Sequence, residues 1–219
     1  MEWMEMCKDW VFPRWCIECQ APAWGEEQLL GACWACEMQC PDLRGVAGRV
    51  LFQDRVFGLQ GRLGFRLTRG PDMHALVHRI KYGGDRSLSL RAGRWLARGN
   101  RPDGQELRLV PVPLHWRREW KRGYNQAEGL ASGLAMEWKA SVERRALKRV
   151  VHRVSLTGSS RLERQRKLHA VFHAAEPRGS PRVWLVDDVL TTGATLRACS
   201  QVLEQAGWEV QGAVVLALA

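Results

Sequence analysis

The stretch that most constrains the fold is Arg182–Cys199, R-V-W-L-V-D-D-V-L-T-T-G-A-T-L-R-A-C. The run Val183 to Val186 has the length of a strand buried on both faces, as in a parallel sheet. Two carboxylates, Asp187 and Asp188, stand at its C-terminal edge, followed by the small-residue turn Thr191, Thr192, Gly193, Ala194, Thr195. Leu196, Cys199, Val202, Leu203 and Ala206 then keep helical spacing, and Gly207 ends the helix. Small residues let the backbone close around an anion, with the helix N-terminus behind it. The turn is therefore a candidate phosphate site, and the aspartates can accept hydrogen bonds from vicinal sugar hydroxyls. Together they describe a site for a ribose 5-phosphate. Two adjacent acids at a buried strand end are costly without a partner.

The motif V-W-L-V-D-D-V-L-T-T-G-A-T resembles the signature of the type I phosphoribosyltransferases, which bind phosphoribosyl pyrophosphate (PRPP) with Mg²⁺. Two further stretches, A-L-V-H-R-I-K-Y-G-G-D and V-P-V-P-L-H-W-R-R-E-W-K-R-G-Y-N-Q-A, resemble the ComF/GntX family of phosphoribosyltransferase-like competence and DNA-utilisation proteins. The resemblance implies a type I phosphoribosyltransferase-like α/β fold, a parallel sheet flanked by helices. It implies that Asp187 and Asp188 hold the ribose and 191–195 the 5-phosphate. The cations His115, Arg117, Arg118, Lys121 and Arg122 then form a pyrophosphate loop over 114–122, and the lysine and tyrosine of K-Y-G-G lie near the active-site face.

Residues 1–45 differ from the rest and hold six of the seven cysteines. Cys16-x2-Cys19 and Cys33-x2-Cys36, thirteen residues apart, can close a tetrahedral Zn²⁺ shell, with Cys40 a possible substitute ligand. A segment this poor in apolar mass would draw much of its folding free energy from the metal. Four protein ligands leave no open position for water, so the expected role is structural. The ComF resemblance implies the same cysteine-rich module. The expected division is a zinc module over 1–45 and a phosphoribosyltransferase-like domain over 46–219.

Elsewhere the pattern predicts short strands and turns over 46–70, and a helix capped by Pro71 or Asp72 with Met73, Leu76, Val77 and Ile80 inward. A second helix is expected over 86–98, a strand over Leu107–Val112, and a helix capped by Asn125 with Ala127, Leu130, Ala131, Leu134 and Trp138 inward. A short strand is expected near 146–151 and a last one over Glu209–Leu218. Spacing alone would allow His74 and His78 to bind a metal, but solvated or packing roles are expected. Residues 144–169 are densely basic. By resemblance they include a mobile catalytic loop, with Leu156 and Lys167 where the family has Gln and Asn; their charge also suits nucleic-acid phosphates.

The net charge of +10 points to polyanionic partners. Apolar runs are short and the first residues are acidic, so no membrane insertion, no signal peptide and a cytoplasmic location are expected. No element that recognises an acceptor base is identified. Two functions therefore stand. One is a DNA-uptake protein that binds PRPP, Mg²⁺ and single-stranded DNA and works with an uptake helicase or channel. The other is an active phosphoribosyltransferase for an unidentified acceptor.

Overall fold

The structure is a computed structural model that describes residues 14–23, 30–67, 73–104, 106–114, 116–150 and 171–219. Strands β1 (Arg14–Trp15) and β2 (Pro22–Ala23) form a small antiparallel hairpin, and helix α1 (Trp34–Gln39) follows. Then come α2 (Val46–Arg55), β3 (Gln60–Arg66), α3 (His74–Tyr82), α4 (Arg86–Ala97) and β4 (Arg108–Pro111). Next are α5 (Trp116–Arg122), α6 (Gln126–Trp138), β5 (Ser141–Val142) and a second hairpin of β6 (Leu147–Arg149) and β7 (Phe172–Ala174). The chain closes through β8 (Arg182–Leu190), α7 (Ala194–Gln205) and β9 (Glu209–Leu218).

The central sheet has the order β3-β9-β8-β4-β5, and its strand pairings are parallel. The α/β class expected from the sequence is the one adopted. An isolated antiparallel bridge, Asp42 to Phe65, ties the segment after the cysteines to β3. Alternation along the buried strands divides the interior in two. Trp184, Val186, Val214 and Leu216 face a core shared with α3, α4 and α6. Val183, Leu185, Ala213 and Val215 face one shared with α2, α7 and the second hairpin. No helix among the described residues is long and apolar enough to cross a membrane.

The chain order sets where a ligand can enter. From β4 the chain runs outward to β5; it then returns to β8 and proceeds to β9 on the other side. The connections after β4 and after β8 thus diverge, opening a crevice between the carboxyl ends of these neighbours.

Most local expectations hold. Asp85 caps α4 by accepting from the Leu88 amide at 3.1 Å, and Asn125 caps α6 by accepting from Ala127 at 3.1 Å. Leu76, Val77 and Ile80 are the buried residues of α3. Pro71 and Asp72, expected to cap that helix, lie outside the described residues, as does 151–170 of the basic segment. The region 46–70 differs: its first part is helix α2. Phe52 and Val56, one turn apart, are both fully buried, so a single helical face meets the sheet where strand alternation would have split them. β8 also runs past the apolar run that ends at Val186, because pairing with β9 continues through Val189–Ala217 and Leu190–Leu218.

Helices α4 and α6 touch backbone to backbone. A Cβ on Gly133 would sit 2.1 Å from the Leu90 carbonyl oxygen. Gly133→Ala must push two buried helices apart, and it is expected to cost about 1–3 kcal/mol. Urea unfolding should show a lower midpoint at unchanged slope.

Candidate functional site

Two constellations emerge, one at the crevice and one among the cysteines. In the crevice, Asp187 and Asp188 sit within the last third of β8, both partly buried. The Asp188 amide donates to Asp187 Oδ1 at 2.8 Å. Lys81, in the last turn of α3, places Nζ 3.7 Å from Asp188 Oδ2, with 18% of the Asp188 side chain exposed. Burial first, and the charge of Asp188 second, push the Asp187 carboxyl well above the usual carboxylate range; the Asp188 amide and Lys81 pull the other way. The Cys199 thiol on α7 is pushed up, by burial first and then by the charge of Asp187. Fully buried on the apolar face of α7, it is a core thiol.

The turn beyond β8 is held from outside. Arg55 Nη1 donates to the Thr191 carbonyl at 2.9 Å, and Arg197 Nη2 to the Thr192 carbonyl at 2.8 Å. Arg197 Nη1 also donates to the Arg55 carbonyl at 2.9 Å, joining α2 to α7. Gly193 has φ of 72° and caps α7; a Cβ there would lie 2.5 Å from Val56 Cγ2. The arginines thus engage the turn's carbonyls at the start of a twelve-residue helix, whose N-terminus favours negative charge. Thr191 and Thr192 are exposed, Ala194 and Thr195 half-buried, and Thr192 Oγ1 accepts from the Ala194 amide at 3.4 Å.

The expected pyrophosphate loop is largely helix. Trp116–Arg122 forms α5, since Arg, Glu and Lys are good helix formers, and Gly123 at φ of 76° stops it. His115 lies outside the described residues. Arg118 and Lys121 lie on the α5 backbone, Arg117 is exposed, and the Arg122 guanidinium stacks over the Tyr82 ring at 4.9 Å. The R-G-Y-N-Q hallmark acts as a clamp. Tyr124, buried, donates its hydroxyl to the Ile80 carbonyl, and Asn125 Nδ2 donates to the Val112 carbonyl at 3.1 Å. One short segment thereby fixes the end of α3, which carries Lys81, against the end of β4.

Arg55 and Arg197 are the residues at this site that motif reading did not assign, whereas Lys81, the lysine of K-Y-G-G, was expected near the active-site face by resemblance. Arg197 lies four residues past Gly193, on the first turn of its helix. Arg55 had no signal, because its segment was read as strand.

Among the cysteines, the Sγ atoms of Cys16, Cys19, Cys33 and Cys36 lie within 4.8 Å of one another. Cys19 Sγ and Cys33 Sγ are 3.7 Å apart. A zinc ion at its usual bond length to sulfur, about 2.3 Å, sets tetrahedral edges of about 3.8 Å. Cys16 Sγ accepts amide hydrogens from Glu18, Cys19 and Cys33 at 3.4, 3.5 and 3.1 Å. Burial alone would raise this thiol; the amides outweigh it and bring it down to about 6. Cys36 is pushed up by burial and then by neighbouring thiols. Four crowded sulfurs around a preformed thiolate fit a divalent soft cation. Cys40 is buried and is not part of this cluster, so the four cysteines placed to hold a metal are Cys16, Cys19, Cys33 and Cys36.

No family model matches the chain. It is similar to Competence protein F of Haemophilus influenzae, 38% identical over 46% of the chain and 45% of that protein. It is 31% identical to DNA utilization protein YhgH of Salmonella typhimurium over 63% of each chain. It is 27% identical to Competence protein ComFC of Streptococcus pneumoniae over 82% of the chain and 72% of that protein. The alignments thus span less than two thirds of the first two relatives.

Proposed function

We propose, from its similarity at modest identity to these competence and DNA-utilisation proteins, that the chain is a ComF-like protein with a role in DNA uptake through a PRPP–Mg²⁺ site. The observation that carries the PRPP reading is the meeting of three features between β4 and β8. These are the Asp187–Asp188 pair, Lys81 beside it, and the glycine turn at the start of α7. The aspartates accept from the ribose hydroxyls, the amides of the turn hold the 5-phosphate, and Arg117 and Arg122 lie on the helix after β4, toward the pyrophosphate. Mg²⁺ suits this site because oxygen ligands and phosphates are its preferred donors, and the repulsion that raises Asp187 is relieved by a cation. When bound, the ion neutralises the pyrophosphate. The segment 1–45 serves as a zinc-stapled module on the 46–219 domain. The charge of +10 supplies long-range attraction for single-stranded DNA in the cytoplasm.

The test is a calorimetric titration of PRPP with Mg²⁺ into the wild type and Asp188→Asn. Saturable binding in the wild type, weakened at least about tenfold in the variant, supports the reading; a factor of ten corresponds to about 1.4 kcal/mol. Absent binding in the wild type, or equal binding in both, overturns it.

A further inference from the structure

Helix α3 has two unlike faces. Leu76, Val77 and Ile80 fill the core, while His74, His78 and Tyr82 form an exposed stripe at one-turn intervals on another face, spanning about 12 Å along the axis. His78 and Tyr82 lie with ring centroids 4.9 Å apart, and Arg122 covers the Tyr82 ring at 4.9 Å. His74 and His78 of this stripe line a groove of about 520 Å³ between α3 and the cysteine hairpin, together with Trp15 and Arg79, and Tyr82 continues the stripe beyond it. Its walls are tied together, for Glu18 Oε1 accepts the Leu76 amide at 2.9 Å across it.

Trp15 is 60% exposed and Tyr82 59%, so aromatic surface lies open along this face. The Glu18 carboxylate beside the groove is engaged by the Leu76 amide, and Arg79 supplies a positive charge to the lining. Exposed aromatic rings with interleaved cations form the platform on which single-stranded nucleic acid stacks, because every base offers a π-face and every linkage a negative charge. Duplex bases have no free face to offer.

We propose that this groove is the single-stranded DNA site. Bases stack on Trp15 and His78 and continue onto the exposed edge of Tyr82, and Arg79 meets a phosphate. The inference rests on the DNA half of the proposed function and adds its location.

The experiment is fluorescence anisotropy of the full chain with a labelled oligothymidylate over a salt series. Tyr82→Ala and Trp15→Ala are each expected to weaken binding about 5- to 100-fold with an unchanged salt slope, as loss of stacking requires. Tyr82→Phe, which keeps the ring, should bind like the wild type. Arg79→Ala should lower the salt slope by about one. A duplex of the same length should bind more weakly and be indifferent to Tyr82. If the wild type binds and both alanine variants bind equally well, the groove is not the site, while the proposed function stands. If duplex and single strand bind alike, stacking is overturned. If the wild type binds no single-stranded DNA, the DNA half of the proposed function falls as well.

Discussion

Cys16→Ser is expected to empty the cysteine quartet of metal and to open the segment around it while the parallel sheet survives. Cys16 is 2% exposed and collects three backbone amides on its sulfur. It shares its core with Leu30, Cys36, Met73, Leu76 and Ile80. The local elements are two-residue strands and a six-residue helix, too short to persist without a staple. Structural zinc in small finger peptides contributes about 10–16 kcal/mol, as much as the whole stability of a typical domain. The sheet has its own second core around Val183, Leu185, Ala213 and Val215, which the four clustered cysteines do not join. Elemental analysis should find one zinc per wild-type chain and none in Cys16→Ser. Thiol titration should show Cys36 becoming reactive, while far-ultraviolet circular dichroism changes little. Cys40→Ser, outside the quartet, should keep its zinc. Retention of the metal by Cys16→Ser would remove the site.

Asp187→Asn is expected to act with opposite signs on binding and on stability. Asn keeps an oxygen for the Asp188 amide but carries no charge. Removing an acceptor for the ribose should weaken PRPP–Mg²⁺ at least about tenfold, about 1.4 kcal/mol. For stability, the Asp187 pKa is raised in the folded chain, so the folded state holds its proton more tightly than the unfolded one. The contribution of Asp187 to stability is full below the unfolded value of about 3.9 and is lost as pH rises through the folded value. Above that window the buried charge is a penalty, and Asn removes it. The variant should therefore melt higher than the wild type at neutral pH, with the gain vanishing toward pH 4, about 2–4 °C for each kcal/mol recovered. Thermal melts at both pH values measure this. A lower neutral-pH melting temperature would mean that Asp187 is held ionised and stabilised, contrary to the geometry.

The two mutations probe the parts of the molecule that were most legible before any fold was known. CxxC pairs and D-D-x3-T-G-A-T are local patterns: the residues that cooperate are neighbours in the chain, and a turn or a strand end brings them together. The α4 and α6 stripes were legible for the same reason, since their 3.6-residue period survives in any tertiary setting. Segment 46–70 was not, because Phe52 and Val56 share a face only when α2 lies on β3. Likewise W-R-R-E-W-K-R reads as a charged loop until Gly123 and Tyr124 anchor it to the end of α3.

By itself the sequence determined the α/β class, the cysteine quartet's membership up to Cys40, and the acidic pair with its glycine turn. Each of these follows from residue type at short spacing. Only the tertiary structure decided that Lys81 faces Asp188, that Arg55 and Arg197 grip the turn's carbonyls, and that Trp15 shares a groove with His78. Arg55 and Thr191 are 136 residues apart in the chain. Only the parallel packing of β3, β9 and β8, with helices on both faces, brings such residues within bonding distance.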